Sequence, residues 1–224
     1  MQRFGVMLDC SRNAVLRPEK VKELAKILKS FGYNMLQLYT EDTYEVDGEP
    51  YFGYKRGRYT QEELKDIVDH CDEIGVEVIP CVQTLAHLNA AFKWRPYAEI
   101  CDTANILLVD EPRTYEFIEN IFKTLKKCFK SEYVHIGMDE AHMLGLGKHL
   151  DRHGYENRFD ILKRHLGKVM DLAKKYGLKP VMWSDMFFRL GNHGAYYSAE
   201  PKLTEEAKKA VPEGVSLCYW DYYH

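Results

Sequence analysis

The sequence predicts an α/β fold, a (β/α)8 TIM barrel of which about six βα units lie within the 224 residues. Three observations support this prediction. Short apolar segments alternate with segments of helical period, at the spacing of βα units. The apolar segments end repeatedly in polar residues, which is where barrels of this kind carry their functional groups. No glycine-rich phosphate loop follows the first apolar segment, which argues against a doubly wound nucleotide-binding sheet.

Six short apolar segments are predicted to be buried parallel strands. They cover residues 4–8, 34–39, 76–81, 133 to about 137, 179–183 and 215–220. A closed barrel needs eight strands and roughly 250 residues. We therefore expect residues 1–224 to form one barrel domain that is cut short on its C-terminal side and belongs to a longer polypeptide.

Helical patterns fill the intervals between the predicted strands. Pro18 suits the first turn of the first helix and Gly32 suits its end. Thr60 and Glu63 have the spacing of a capping box at the start of the second helix. Three further helices are predicted over residues 112–129, 158–176 and 204–210.

Composition and charge exclude several classes of partner. The net charge is −3, with no basic stretch, so neither nucleic acid nor an anionic membrane is an expected partner. No apolar run is long enough to span a membrane, and the N-terminus lacks the apolar core of a signal peptide. The six cysteines are scattered without a CxxC pair, which favours free thiols in a reducing compartment over disulfides or a zinc site. We expect a cytoplasmic protein without a metal or other cofactor.

The segment from Tyr133 to His142 carries the most chemical information, because an apolar strand runs there into the adjacent carboxylates Asp139 and Glu140. Neighbouring residues of a regular strand point to opposite faces. The two carboxylates can share a pocket only if the strand stops near Gly137 and the backbone bends, which glycine permits.

The run His135-Ile-Gly-Met-Asp139-Glu140 resembles the His-x-Gly-Gly-Asp-Glu motif of family 20 glycoside hydrolases, the β-N-acetylhexosaminidases, with Met138 in place of a glycine. Other segments match in order. Arg12 resembles the arginine at the end of the family's first strand, and Pro80 and His87 resemble its third-strand segment. Trp183 and Trp220 match tryptophans that wall the family's sugar pocket. The resemblance covers essentially the whole chain and is closest to compact bacterial exo-hexosaminidases.

The resemblance implies removal of a terminal β-linked N-acetylhexosamine from a glycan or glycoside, with retention of configuration. Family 20 enzymes use the 2-acetamido group of the substrate as the nucleophile. Glu140 would then be the general acid and base, and Asp139 would orient the acetamido group and stabilise the oxazolinium intermediate.

The remaining site residues are also carried over from the resemblance. Arg12 would bind sugar hydroxyls, although a surface role or an ion pair with Asp9 stays open. Trp183 and Trp220 would stack on the sugar, unless they are ordinary core residues. His87 would support the carboxylates, and His142 and Asp185 would lie near the substrate.

Two alternatives stay open. A metal-dependent hydrolase would use His135, Asp139, Glu140 and His142 as ligands. An inactive or merely sugar-binding fragment is the other, because six βα units leave two sheet edges open and favour self-association. The sequence does not distinguish glucosamine-type from galactosamine-type substrates, nor does it give the glycosidic linkage.

Overall fold

The structure is a computed structural model that describes residues 2–12, 14–191, 194–197 and 205–222, without the side chains of 205–207. The chain forms two compact units. The first unit comprises Met1–Val82 and Glu119–His135, and the second comprises Gln83–Ile118 and Ile136–His224.

Strands and helices alternate along most of the described chain. The strands are β1 Gly5–Asp9, β2 Met35–Tyr39, β3 Glu77–Cys81, β4 Cys101–Thr103, β5 Ile106–Leu107, β6 Tyr133–His135, β7 Lys179–Trp183 and β8 Ser216–Cys218. The α-helices are α1 Pro18–Ser30, α2 Gln61–Glu73, α3 Pro112–Cys128, α4 Lys148–His153, α5 Arg158–Lys175, α6 Asp185–Gly191 and α7 Glu205–Ala210. Two short 3₁₀ turns lie at Ala91–Lys93 and Arg95–Tyr97.

The first unit is built on four parallel strands in the order β1, β2, β3, β6. Gly5 pairs with Met35, Met35 pairs with Glu77, and Cys81 pairs with His135. The same ends of all four strands therefore point the same way. Side chains at the carboxyl ends of these strands share one edge of the sheet, as functional groups do in parallel α/β folds.

Helices α1 and α2 begin where the sequence predicts. Pro18 occupies the first turn of α1, where its missing N–H costs nothing. The Thr60 side chain accepts a hydrogen bond from the Glu63 N–H, and the Glu63 carboxylate accepts one from the Thr60 N–H. Both predicted helix starts are confirmed, and Gly32 follows α1 with a φ of +87°.

The second unit contains the parallel pair β7 and β8, in which Val181 pairs with Ser216. It also contains the antiparallel hairpin of β4 and β5. Helix α5 buries an apolar face that includes Ile161, Leu166 and Val169. Ile136, which follows β6 in the chain, belongs to this unit. Its N–H donates to the Val181 carbonyl at 2.8 Å.

Six strands with parallel partners occur in the described residues, as predicted, and β7 has the predicted bounds. The sequence did not predict α4, α6 or the β4–β5 hairpin, and β8 is shorter than the predicted strand over 215–220. All six cysteines are free thiols, as predicted. None of the helices in the described ranges has the length and apolar character needed to cross a membrane.

Candidate active site

The backbone turns sharply after β6, near Gly137, as it must if Asp139 and Glu140 are to share a pocket. Gly137, Met138 and Glu140 have φ values of +71°, +68° and +50°. Residues with a Cβ atom rarely adopt positive φ, and such strained positions cluster at functional sites. Because of this turn, Asp139 and Glu140 do not alternate across a strand and can face one pocket.

His87 brings the two carboxylates together. Its Nε2 lies 3.1 Å from Oδ2 of Asp139 and 3.7 Å from Oε2 of Glu140. His87 itself has a φ of +57°. The Asp139 side chain is 15% exposed, whereas that of Glu140 is 40% exposed. One carboxylate is thus held below the surface, while its neighbour reaches into open space.

Gln83, which no sequence motif marks, holds Asp139 from the other side. This fully buried side chain donates from Nε2 to Oδ1 of Asp139 at 2.8 Å. Its Oε1 accepts a hydrogen bond from the Met138 N–H at 3.3 Å. The only hint in the sequence is a polar residue two positions after an apolar strand.

The surroundings of Asp139 favour its charged form. Burial disfavours the carboxylate, but the adjacent His87 ring and the amide of Gln83 outweigh burial and lower the pKa of Asp139 below its ordinary value. A carboxylate that remains charged while largely buried is suited to stabilise a positive charge that develops beside it.

Asp185 lies beneath the acidic pair. It is fully buried, and its Oδ2 accepts the Glu140 N–H at 3.0 Å. Nε of Arg189 is 3.7 Å away. Burial raises the pKa of Asp185 to about 6, against the opposing effect of that hydrogen bond. The Asp185 side chain thus holds the Glu140 backbone, and its place near the substrate stays a prediction from the resemblance.

His142 is exposed and stands two residues beyond Glu140. Its N–H donates to the Glu140 carbonyl at 2.7 Å, and its own carbonyl accepts from Arg158 at 2.7 Å. Partial burial and the charge of Arg189 lower the pKa of His142. The ring is therefore an uncharged polar group near the site at neutral pH.

The loop that carries Gln83 and His87 is fastened by several hydrogen bonds. The Thr84 N–H and hydroxyl both donate to the Ile136 carbonyl, at 3.2 and 2.8 Å. Nε2 of buried His165 lies 2.7 Å from the Thr84 carbonyl, and its Nδ1 lies 3.2 Å from the Tyr115 hydroxyl. Burial lowers the pKa of His165 to about 4, so the neutral ring donates from Nε2 and accepts at Nδ1.

The segment after Glu140 is anchored by Asp102 of the β4–β5 hairpin. Its two carboxylate oxygens accept the N–H groups of Gly145 and His149, at 3.0 and 2.8 Å. A Cβ atom on Gly147 would lie 2.1 Å from the Asp102 carbonyl. Only glycine permits this close approach, which fixes the path of the chain from Glu140 to α4.

Trp183 and Trp220 are both half-buried. Trp183 ends β7, and its N–H donates to the Gly137 carbonyl at 3.1 Å. Trp220 follows β8, and its ring packs against Tyr196 with a centroid separation of 4.5 Å. Its N–H donates to the Tyr196 hydroxyl at 3.0 Å. Both residues keep part of their surface accessible, as a sugar-stacking residue requires.

Arg12 belongs to the first unit. Its guanidinium pairs with Glu41 at 3.0 Å, and the Tyr39 hydroxyl donates to the same carboxylate oxygen at 3.1 Å. Glu41 is buried, whereas the Arg12 side chain is 67% exposed. Arg12 thus pairs with Glu41, whereas Oδ1 of Asp9 accepts from the N–H and hydroxyl of Ser11.

The metal-ligand set considered from the sequence is not assembled. Over the described residues, the one group of potential ligands whose atoms all lie within 4.8 Å of one another is His87, Asp139 and Glu140. His135 is fully buried within β6, and neither it nor His142 belongs to this group.

Comparison with known proteins identifies the family. Residues 3–220 match the model of the glycosyl hydrolase family 20 catalytic domain. The chain is 25% identical to a beta-hexosaminidase of Akkermansia muciniphila, over 97% of this chain and 53% of that protein. It is 25% identical to hexosaminidase D of Homo sapiens, over 92% of this chain and 42% of that protein.

Solved structures share the fold. The N-acetyl-beta-hexosaminidase of Streptomyces plicatus superposes with a TM-score of 0.71 at 25% identity, over 96% of this chain and 42% of that chain. The chain thus spans about half the length, or less, of these relatives. The predicted fold class, a TIM barrel represented by about six βα units, is confirmed. The chain belongs to glycosyl hydrolase family 20, whose catalytic-domain model it matches over nearly its whole length.

Proposed function

We propose that the protein is an exo-acting glycosidase that removes terminal β-linked N-acetylhexosamine by substrate-assisted catalysis. The observation that carries this proposal is the pair Asp139 and Glu140, which share the neighbour His87 but differ in environment. The relatives named beta-hexosaminidase and N-acetyl-beta-hexosaminidase support the substrate class.

The first chemical step forms a bond between the acetamido carbonyl oxygen and the anomeric carbon of the substrate. As that bond forms, the bond to the leaving oxygen breaks, and Glu140 donates a proton to that oxygen. The exposure of Glu140 suits this role, because the leaving group must reach it. The product of the step is a cyclic oxazolinium, which carries a positive charge.

Asp139 orients the acetamido group and stabilises that charge. Its carboxylate is held by Gln83 and adjoins His87, so little reorganisation is needed when the charge develops. In the second step, Glu140 removes a proton from water as the water oxygen attacks the anomeric carbon. The bond from that carbon to the acetamido oxygen breaks, which opens the oxazolinium ring. The configuration of the sugar is retained after two displacements.

The other proposed substrate contacts follow the resemblance. Arg12 binds hydroxyls of the terminal sugar, and the pair with buried Glu41 limits its side-chain freedom. Trp183 and Trp220 stack on the sugar ring and the acetamido methyl group. His142 contributes an exposed polar group beside Glu140.

Hydrolysis of an aryl N-acetyl-β-glucosaminide tests the proposal. The assay compares the wild type with Glu140→Gln, Asp139→Asn and the exposed helix residue Glu73→Gln as a matched control. Both the 224-residue chain and the longest polypeptide that its gene encodes are tested. The aryl β-glucoside without the acetamido group is the substrate control.

We expect hydrolysis of the acetamido substrate alone. Glu140→Gln and Asp139→Asn should each lower kcat by about 100- to 10,000-fold, with Glu73→Gln unchanged. Equal hydrolysis of both sugars, or full activity of Glu140→Gln, contradicts the proposal. Sugar binding without turnover in every polypeptide supports the sugar-binding alternative instead.

A metal-dependent hydrolase is the second candidate, because the ligand atoms of His87, Asp139 and Glu140 lie close enough to hold one cation. Metal analysis and activity after dialysis against a chelator separate the two. Activity that a chelator removes and zinc restores favours the metal-dependent mechanism. Unchanged activity favours substrate assistance.

We also propose a cytoplasmic location and self-association. Free thiols at all six cysteines support the first. Exposed apolar side chains at Leu217 of β8 and at Tyr219 support the second. Cell fractionation tests the location, and light scattering on the purified protein tests the oligomeric state.

A further inference from the structure

We propose that Gln83 is a positioning residue for the reaction, a neutral clamp that fixes the Asp139 carboxylate by bridging it to the Met138 backbone. This inference rests on the proposed function, in which Asp139 must face the acetamido group in a fixed orientation. Gln83 has no role in the chemistry itself, because it is fully buried behind Asp139 and acts through that residue.

The two contacts of Gln83 determine which way its amide points. The Met138 N–H can only donate, so the Gln83 oxygen must face it. Oδ1 of ionised Asp139 can only accept, so the Gln83 nitrogen must face that atom. The reverse orientation would set oxygen against oxygen and N–H against N–H. A glutamine side chain therefore satisfies both neighbours in one orientation alone.

The loop segment that carries Gln83 is held in place by hydrogen bonds of the next residue. Thr84, the next residue, makes two hydrogen bonds to the Ile136 carbonyl and accepts one from neutral His165. Gln83 therefore joins two fastened segments, the loop after β3 and the turn after β6. Tying both ends limits the rotation of the Asp139 side chain, and a misplacement of about 1 Å in such a group can cost about 100-fold in rate.

The neutrality of Gln83 matters as much as its hydrogen bond. A carboxylate at this position would lie in contact with Asp139, and two adjacent carboxylates cannot both ionise easily. A glutamic acid could imitate glutamine only while it is protonated and donates to Asp139. Gln83→Glu is thus expected to make activity depend on pH in a range where the wild type is insensitive.

The experiment measures kcat and KM against pH for the wild type, Gln83→Met and Gln83→Glu, in the longest polypeptide that the gene encodes. Methionine keeps the size of the side chain but makes neither hydrogen bond. The matched controls are Gln61→Met and Gln61→Glu, because Gln61 also donates its amide to an aspartate, Asp47, at 2.6 Å. This second Gln–Asp pair lies between α2 and the loop after β2 and takes no part in the proposed chemistry.

We expect Gln83→Met to lower kcat by about 10- to 100-fold, with KM changed less than kcat. Gln83→Glu should keep most of its activity in acid and lose it as pH rises. The alkaline limb of its kcat–pH profile should therefore lie at lower pH than that of the wild type. Both Gln61 variants should retain wild-type kinetics. Retention of wild-type kcat and pH profile in both Gln83 variants overturns the inference.

A second readout does not require activity. Titration of the Asp139 carboxyl by ¹³C NMR, assigned with Asp139→Asn, should give a higher pKa in Gln83→Met than in the wild type, because a hydrogen bond to the charged form is lost. An unchanged pKa of Asp139 in Gln83→Met contradicts the proposed role of Gln83.

If the NMR result holds but no acetamido sugar is hydrolysed, then the proposed function fails while Gln83 still positions Asp139. If hydrolysis holds and both Gln83 tests fail, only the clamp is wrong.

Discussion

Replacing Asp185 by asparagine is expected to stabilise the folded protein at neutral pH and to leave it unchanged in acid. Asp185 is fully buried and accepts the Glu140 N–H at 3.0 Å. Burial raises the pKa of this carboxyl from the ordinary 3.8 to about 6. The folded state therefore binds the proton of Asp185 more tightly than the unfolded state does.

The magnitude follows from the two pKa values. Each pH unit between them corresponds to 1.36 kcal/mol, so ionised Asp185 lowers the free energy of unfolding by about 3 kcal/mol at pH 7. The stability contributed by the protonated group is complete below pH 3.8 and is lost as pH rises to about 6. Asparagine has no charge to bury at any pH.

The assay is urea unfolding of the wild type and Asp185→Asn between pH 3.5 and pH 8, followed by tryptophan fluorescence. Asp171→Asn, on the exposed face of α5, is the control. The difference in unfolding free energy between variant and wild type should be greater by about 3 kcal/mol at pH 7 than at pH 3.5. A difference that stays constant across this range refutes the reasoning, because Asp185 would then titrate alike in both states.

Three further predictions concern His165, Thr60 and Met138. The folded-state pKa of His165 is about 4, below its ordinary 6.5, so the neutral ring contributes stability that is complete above pH 6.5 and is lost as pH falls to about 4. His165→Gln should remove about 3 kcal/mol of this pH-dependent stability in the same urea assay. An unchanged slope of unfolding free energy against pH contradicts the prediction. Thr60→Ala breaks the capping box and should cost about 1 kcal/mol, which thermal unfolding checks against Thr60→Ser, expected near wild type. Met138→Gly relieves a positive φ but removes a fully buried side chain, so it should lower the unfolding free energy by about 2 kcal/mol; a more stable glycine variant would contradict that balance.

The parts of the fold that the sequence predicts are those determined by local patterns. Apolar runs predicted the six parallel strands. Thr60 and Glu63 predicted the start of α2, because both partners of the capping box are close in sequence. Helix α4 was not predicted, since it has only six residues and its first turn is held by Asp102, a tertiary contact. Helix α6 was not predicted either, and it begins directly at Asp185, two residues after β7 ends.

In the candidate site, too, the sequence predicts the local features but not those that depend on tertiary packing. The position of Asp139 and Glu140 at a strand end, and the need for a bend near Gly137, followed from the alternation of side chains along a strand. Gln83 could not be selected, because an isolated glutamine has no spacing signal and its contacts lie 55 and 56 residues away in sequence. Asp185 was selected, but its burial beneath Glu140 depends on packing that sequence alone does not specify.

The proposed function makes the acetamido oxygen of the substrate the nucleophile. The most direct measurement is kcat/KM for a series of aryl β-glucosaminides with N-acetyl, N-fluoroacetyl, N-difluoroacetyl and N-trifluoroacetyl groups. Fluorine withdraws electrons from the attacking carbonyl oxygen while changing its size little. If the acetamido oxygen is the nucleophile, kcat/KM should fall progressively along the series. Equal values across the series would contradict it, because the nucleophile would then belong to the protein or to water.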